Sequence, residues 1–315
     1  MEDMIKWASA EGASWSPSLQ VKTGSRGRGV FATAPIKEGD LLLSLPGSLA
    51  IRPPAALSEL VKTNGVSALL ALILTVQHNL FVSESPSPYF QDLSSSDTPP
   101  LPSSWTDADL QELAGTSLLP PPMTPAMVRA TAKEAYETDV VAAMDKLPDS
   151  FLPATTRNKK DFQTALSWVC SRALQGRLNF EMGTGNLWPY LGTDGPPTAT
   201  TRHGCNGMFL LPLFDLINHS TDVKKRGTEL ARVDGEAEGT DAWEMRATRD
   251  LAEGEEVLQS YGHHGGAELL RNYGFVEESA LTKVWVGLEQ VLAAVKGTGA
   301  GAGGGREEGG GGGAG

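Results

Sequence analysis

The stretch LLPLFDLINHS, residues 210–220, runs from an apolar segment into the polar triplet Asn218-His219-Ser220. A second stretch, DLAEGEEVLQSYG, residues 250–262, ends on Ser260-Tyr261-Gly262. Polar side chains at the end of apolar strands are expected either to satisfy buried backbone groups or to bind a ligand. The search for chemistry therefore starts at Asn218, His219 and Tyr261.

Short strands are predicted around both stretches. A C-terminal β lobe at residues 204–276 holds short apolar or alternating segments, which are typical of strands. These segments are residues 208–213, 228–233 and 243–248. Residues 18–52 alternate in the same way around Gly27-Arg28-Gly29 and predict an N-terminal β lobe.

The intervening residues, about 53–195, are predicted to be helical. Helices are expected at 67–80, 126–144 and 159–174, with Pro-rich loops at 86–102 and 120–125. Strands, then helices, then strands indicate an α+β fold in which a helical insertion interrupts a β-rich domain. A helix is also expected near residues 281–296, and the Gly-rich residues 298–315 predict a flexible tail.

The composition narrows the classes of partner and compartment. Asp and Glu total 38 against 26 Lys and Arg, a net charge of -12, which disfavours a nucleic-acid partner and is compatible with a basic protein segment. Two cysteines, Cys170 and Cys205, make no disulfide framework. The most apolar run, 67–80, is too short to span a membrane. We expect a monomer in the cytoplasm or nucleus, or in the chloroplast if a targeting segment precedes this sequence.

Four segments in order carry a resemblance to a known family. They are residues 24–46 (GSRGRGVFATAPIKEGDLLLSLP), 101–118 (LPSSWTDADLQELAGTSL), 210–220, and 250–262 with its continuation 267–275 (AELLRNYGF). Together they resemble the SET-domain methyltransferases of the Rubisco large-subunit lysine methyltransferase type. The resemblance covers most of residues 21–276 and implies a SET domain at 18–276, with a pseudoknot and a helical insertion. It also implies S-adenosylmethionine as cofactor and a lysine of a non-histone protein as substrate.

The resemblance assigns roles to individual residues. The cofactor-binding positions it implies are Gly27, Arg28, Gly29, Arg172, Asp215, Asn218, His219, Tyr261 and Phe275. The substrate-binding positions it implies are Leu174, Asp215 and Tyr273. A metal is not expected, since His203 and Cys205 have no second Cys or His pair to complete a tetrahedral site. For Gly27-Arg28-Gly29, Tyr273 and Phe275 an ordinary turn or core packing remains an alternative.

Tyr261 is the predicted catalytic residue. Methyl transfer from a sulfonium is an in-line displacement whose rate depends mainly on positioning. A phenol oxygen near the methyl group can accept its polarised C–H bonds and orient the target amine. A lysine must lose its proton to attack, and an apolar channel favours the neutral amine.

The sequence leaves the nucleophile and even activity open. Leu174 stands where related histidine methyltransferases carry a polar residue, which favours lysine, but residues 221–234 lack a tyrosine that plant lysine enzymes place near the target. Family members follow the SET region with a long helical domain, and residues 277–297 are expected to be a short remnant of it, of which only about 281–296 is suited to a helix. The alternatives are histidine methylation on the same scaffold and a binding module without catalysis.

Overall fold

A four-stranded antiparallel sheet forms the centre of the computed structural model, with strand order β1-β4-β9-β8. Its strands are β1 (Ser14–Trp15), β4 (Leu41–Pro46), β8 (Thr228–Val233) and β9 (Ala242–Ala247). The side chains of β9 alternate, so that Trp243 and Met245 face the core while Arg246 faces solvent. In register, Leu45 lies opposite Trp243 and Leu43 opposite Met245, which fills the space beneath the sheet.

The structure describes residues 1–55, 57, 68–96, 98–175, 208–233, 241–262, 264–278 and 280, all within one compact unit, Met1–Leu281. The predicted limits at residues 195 and 204 lie outside these residues. So do His203, Cys205, the helix expected near 281–296 and the Gly-rich tail. The predicted domain limits stay a prediction.

Small sheets flank the central one. A hairpin pairs β2 (Leu19–Gly24) with β3 (Gly27–Ala32), and β5 (Leu174–Gln175) pairs with β6 (Met208–Phe209). The third pair joins β7 (Asn218–His219) to β10 (Leu258–Gln259) in parallel. The hairpin turns at Gly27, whose φ of 84° suits glycine.

Helices make up most of the described part of the predicted insertion, and one more follows β10. They are α2 (Ala68–Phe81), α3 (Pro88–Ser94), α4 (Asp107–Gln111), α5 (Pro125–Ala135), α6 (Val141–Met144), α7 (Lys159–Arg172) and, after β10, α8 (Gly266–Tyr273). A π-helical turn, Tyr136–Val140, joins α5 to α6. Helices are confirmed in the predicted segments 67–80, 126–144 and 159–174, but the last one ends at Arg172, and Leu174 belongs to β5. Helix α7 begins at Asn158, whose side chain accepts the N–H of Asp161.

Two elements differ from the sequence-based expectation. The predicted loop at 86–102 contains α3, because Pro88 occupies the first helical turn, where a missing N–H costs nothing. Ahead of residue 18, α1 (Glu2–Ala10) buries Met4 and Ala8 in the main core, and β1 pairs with β4. Among the described helices none is both long and apolar enough to cross a bilayer.

The α+β class is confirmed, and it follows from local patterning. Helix α2 is apolar nearly all round, is largely buried, and packs against α7, α3 and β6. Helix α7 buries one stripe, which includes Phe162, Leu166 and Val169, at the predicted helical spacing. Helix α7 ends at Arg172, whose side chain bonds Asp215, a residue that lies shortly before β7 in the chain.

Replacing Gly274 by alanine is expected to destabilise the fold more than the matched change Gly254→Ala. Both glycines have positive φ, 79° and 82°, so each variant should lose about 1–2 kcal/mol from left-handed backbone strain. Only at Gly274 would the new Cβ also press on Pro100, at 3.3 Å; at Gly254 it meets no described atom within 4 Å. Urea unfolding measures both losses, and equal losses would contradict the packing argument.

Candidate active site

The polar triplet at 218–220 and the segment that leads to Tyr261 interlock. Leu258 pairs with Asn218 and Gln259 with His219 in the parallel ladder, and the N–H of Ser220 donates to the carbonyl of Gln259 at 3.0 Å. The Gln259 amide also donates to the carbonyls of Phe214 and Ile217. The apolar run before Asn218 is therefore not a simple strand, because a short 3-10 turn, Phe214–Leu216, redirects the chain.

His219 is held as a neutral ring. Its Nδ1 accepts the backbone N–H of Tyr261 at 2.9 Å, which leaves the ring proton on Nε2. Burial lowers the pKa of His219 to about 4. The two rings stack with centroids 5.0 Å apart, and Nε2 is buried without a hydrogen-bond partner in the described chain.

The Tyr261 hydroxyl lies against the start of the same triplet. It donates to the carbonyl of Ile217 at 3.0 Å. Burial raises the pKa of Tyr261 above its usual value, and the Arg172 guanidinium opposes this only in part. The phenol is therefore protonated at neutral pH. Its proton is used at Ile217, so its oxygen remains available as an acceptor.

Asn218 joins the interlocked segments to strand β3. Its side-chain N–H donates to the carbonyl of Arg28 at 3.1 Å and to Glu256 at 2.9 Å. A Cβ on Gly29 would lie 2.6 Å from the Asn218 amide nitrogen and 2.7 Å from a Glu256 oxygen. Glycine is thus required at position 29 because Asn218 and Glu256 occupy the space of a side chain.

A buried ion pair between Arg172 and Asp215 is the second part of the site. Arg172 donates through Nη1 to Oδ2 of Asp215 at 2.7 Å and to the Asp215 carbonyl at 3.0 Å, while its guanidinium stacks on Trp168. The Tyr89 hydroxyl donates to the same Oδ2 at 2.8 Å. Burial disfavours the charged guanidinium, but Asp215 and Tyr89 outweigh it and raise the pKa of Arg172. Nε of Arg172 and Oδ1 of Asp215 are buried with no partner among the described residues.

Aromatic rings surround Tyr261. Its centroid lies 4.8 Å from that of Tyr273, which lies 6.2 Å from Phe275. Phe275 in turn lies 6.3 Å from His219. The order of these rings follows from α8, which ends at Tyr273 and is capped by left-handed Gly274. The site is thus a polar interlock with an aromatic wall.

The structure brings together most of the predicted site residues. Tyr261, Asn218, His219, Tyr273 and Phe275 are linked by direct contacts, and Asn218 ties Arg28 and Gly29 to them. Arg172 and Asp215 pair with each other and act electrostatically on Tyr261.

Three of the predicted positions stand apart from these contacts. Gly27 forms the hairpin turn, where an added Cβ would meet no described atom within 4 Å. Leu174 is on β5 opposite Phe209, two residues past Arg172, and no described contact links it to Tyr261. The Arg28 guanidinium turns to Asp92, with contacts of 3.0 and 2.8 Å, so only its backbone meets Asn218. The predicted roles themselves stay predictions.

Sequence reasoning missed several residues that build the site. Tyr89 lies in a segment interpreted as a Pro-rich loop, although the apolar pair Tyr89-Phe90 after Pro88 was a signal for a buried helix. Glu256 lies inside the quoted stretch 250–262 but was not singled out. Glu277 accepts the N–H of Thr221, the Ser220 hydroxyl and Arg26, and these bonds outweigh burial and lower its pKa.

Comparison with known proteins gives a family match. The SET-domain family model matches residues 27–262. Ribosomal lysine N-methyltransferase 4 of Saccharomyces cerevisiae is 25% identical in an alignment of 281 residues that covers 83% of this chain and 52% of that protein. N-lysine methyltransferase SETD6 of Rattus norvegicus is 24% identical over 87% of this chain and 53% of that protein. The human actin-histidine N-methyltransferase is 26% identical over 87% of this chain and 42% of that protein.

Solved structures share the fold. The SET domain of LSMT bound to lysine and AdoHcy superposes with a TM-score of 0.63 at 21% identity, covering 88% of this chain and 57% of that one. Rubisco LSMT bound to AdoMet gives a TM-score of 0.59 at 23% identity, over 88% and 56%. This chain spans about half the length of the curated relatives it matches.

The imidazole of His219 is expected to stay neutral, with its proton on Nε2, between about pH 8 and about pH 5.5, because its pKa lies near 4. Nitrogen-15 NMR of the ring measures both the tautomer and the charge. The spectrum of His219→Gln identifies the signal by its loss. A His219 signal that titrates near pH 6.5, the ordinary histidine value of about 6.5, would contradict the buried arrangement.

Proposed function

The chain belongs to the SET-domain family, and we propose that it is an S-adenosylmethionine-dependent protein-lysine N-methyltransferase acting on a non-histone protein. One observation carries the proposal. The protonated Tyr261 phenol lies 3.0 Å from the Ile217 carbonyl, beside a buried ion pair in which two polar atoms have no partner among the described residues. Those atoms, Nε of Arg172 and Oδ1 of Asp215, are where a ligand would be recognised.

The residues present fit the proposed cofactor. Its methionyl end is zwitterionic, and the free N–H of Arg172 suits a carboxylate while the free oxygen of Asp215 suits an ammonium group. Buried polar atoms without partners are rare in folded proteins and costly, which supports a ligand-binding role for both. The Nε2–H of His219, whose ring stacks on that of Tyr261, is another buried donor without a partner among the described residues.

Tyr261 and Ile217 offer oxygen acceptors at one point. When bound, S-adenosylmethionine supplies a methyl group made electrophilic by its sulfonium. The Tyr261 oxygen and the Ile217 carbonyl can accept polarised C–H groups, an interaction that favours one approach direction. Because both atoms are fixed by the interlock, they hold this geometry without reorganisation.

The aromatic wall favours an uncharged amine. A lysine side chain has an unperturbed pKa of about 10.4 and must be neutral to act as a nucleophile. Contact with Tyr273 and Phe275 would desolvate the amine and lower its pKa. Tyr261 is not the base at neutral pH, because burial keeps its own phenol protonated. The proton is therefore expected to leave to solvent before the amine enters.

Lysine is the proposed target, and histidine is the second candidate. On the resemblance, Leu174 takes the place of a polar residue found in related histidine methyltransferases, and this apolar side chain favours lysine. The similarity to an actin-histidine N-methyltransferase keeps histidine in view. Mass spectrometry of the labelled residue in a modified protein decides between them.

The proposed substrate is a protein segment with basic character. The net charge of -12 gives the chain a potential that attracts such a segment. With two cysteines and no disulfide framework expected, the proposed compartment is a reducing one, the cytoplasm or the nucleus.

Tyr261→Phe is expected to lower methyl transfer by about 100-fold or more, because it removes the positioned oxygen while keeping the ring. The measurement is transfer of labelled methyl groups to candidate protein extracts. Cofactor binding, followed by calorimetry, should change little in this variant. By contrast, Asn218→Ala should weaken cofactor binding, since it frees the Arg28 carbonyl and Glu256.

Two results would overturn the proposal. Wild-type protein that binds S-adenosylmethionine but labels no protein would indicate a binding module without catalysis. Undiminished labelling by Tyr261→Phe would remove Tyr261 from the reaction. Arg246→Ala is the control, since Arg246 is exposed on the central sheet and contacts Glu244 and Gly39 rather than the site.

A further inference from the structure

We propose that Tyr89, on helix α3, is a positioning residue that holds Asp215, and through it Arg172, in the orientation that receives the amino-acid end of the cofactor. This inference rests on the proposed function. It concerns a residue that makes no contact with Tyr261 in the described structure and that lies 126 residues from Asp215 in the chain.

The geometry at the carboxylate is asymmetric. Tyr89 and Arg172 both donate to Oδ2 of Asp215, at 2.8 and 2.7 Å, and neither donates to Oδ1. With two donors on one oxygen, the carboxylate is fixed in rotation, and the other oxygen is presented in a single direction. Arg172 bonds Asp215 twice through Nη1, and its Nε–H has no hydrogen-bond partner in the described part of the chain.

Without the Tyr89 hydroxyl, Oδ2 of Asp215 keeps only one hydrogen-bond donor, Arg172. A guanidinium commonly binds a carboxylate with two parallel bonds, one to each oxygen. If Oδ2 loses one donor, Asp215 is free to rotate so that Arg172 engages both oxygens. Oδ1 and Nε would then satisfy each other and be lost as ligand contacts.

Buried side chains anchor helix α3 and so hold the Tyr89 hydroxyl in place. Tyr89 is 1% exposed, and Phe90 and Leu93 are also buried in the main core. Asp92, one turn after Tyr89, binds Arg28 of β3 through two contacts of 3.0 and 2.8 Å. The helix is therefore tied both to Asp215 and to the strand that meets Asn218.

A purely structural role for Tyr89 makes a different prediction from a positioning role. Loss of packing would weaken the binding of every ligand of the site, or would lower only the free energy of unfolding. Loss of positioning would weaken only ligands that carry the amino-acid end. S-adenosylhomocysteine carries that end, and 5′-methylthioadenosine has the same nucleoside and sulfur without it.

The test is calorimetric binding of these two compounds to wild type and to Tyr89→Phe. We expect the variant to lose about tenfold in affinity for S-adenosylhomocysteine, the effect of one hydrogen bond to a charged group, with no comparable loss for 5′-methylthioadenosine. Tyr136→Phe is the matched control, because it removes a phenol oxygen from a buried tyrosine that packs edge-on against Phe162 in the same core. It should change neither affinity.

A double-mutant cycle adds a readout that packing would not move. Asp215→Asn should itself lower the affinity for S-adenosylhomocysteine. Adding Tyr89→Phe to it should lower that affinity little further, because Tyr89 acts through Asp215. Additive losses in the double variant would overturn the inference.

The outcomes separate the inference from the proposed function. If wild type binds neither compound, the proposed function and the inference both fail. If wild type prefers S-adenosylhomocysteine and Tyr89→Phe keeps that preference, the inference alone fails. Equal weakening of both compounds by Tyr89→Phe would assign Tyr89 a structural role and also overturn the inference.

Discussion

The hydrogen bond from the backbone N–H of Tyr261 to Nδ1 of His219 joins segments 42 residues apart in the chain. It extends the parallel pairing of β7 and β10, a kind of pairing that a simple hairpin cannot make. Because Nδ1 of His219 must be unprotonated to accept this bond, the contact fixes the tautomer of the ring, while burial lowers its pKa. The Tyr261 hydroxyl can reach Ile217 only because its backbone is held here.

The charged part of the site depends on elements outside this interlock. Arg172 comes from the end of α7, Asp215 from the 3-10 turn before β7, and Tyr89 from α3. Removing one member of a buried pair typically costs about 3–5 kcal/mol, because the other charge is left uncompensated. The helical insertion is thus part of the site and not an appendage, since it supplies two of the three groups.

Local patterns were enough to predict the α+β class and the main helices. Period-two alternation marks β8 and β9, and helical spacing marks α7, because these periods reflect which face is buried. The resemblance placed Asn218, His219 and Tyr261 together. It could not reveal that Tyr89 supports Asp215, because that bond spans 126 residues and depends on how α3 packs. Nor could it show the turn of the Arg28 guanidinium toward Asp92.

We propose that the interlock and the Arg172–Asp215 pair together form one binding site for S-adenosylmethionine. A crystal structure of the protein with S-adenosylhomocysteine tests it most directly. We expect Nε of Arg172 and Oδ1 of Asp215 each to gain a hydrogen bond to the amino-acid end of the ligand, with Tyr261 still donating to Ile217. A ligand bound away from these atoms, or both atoms still without partners beside it, would contradict the account.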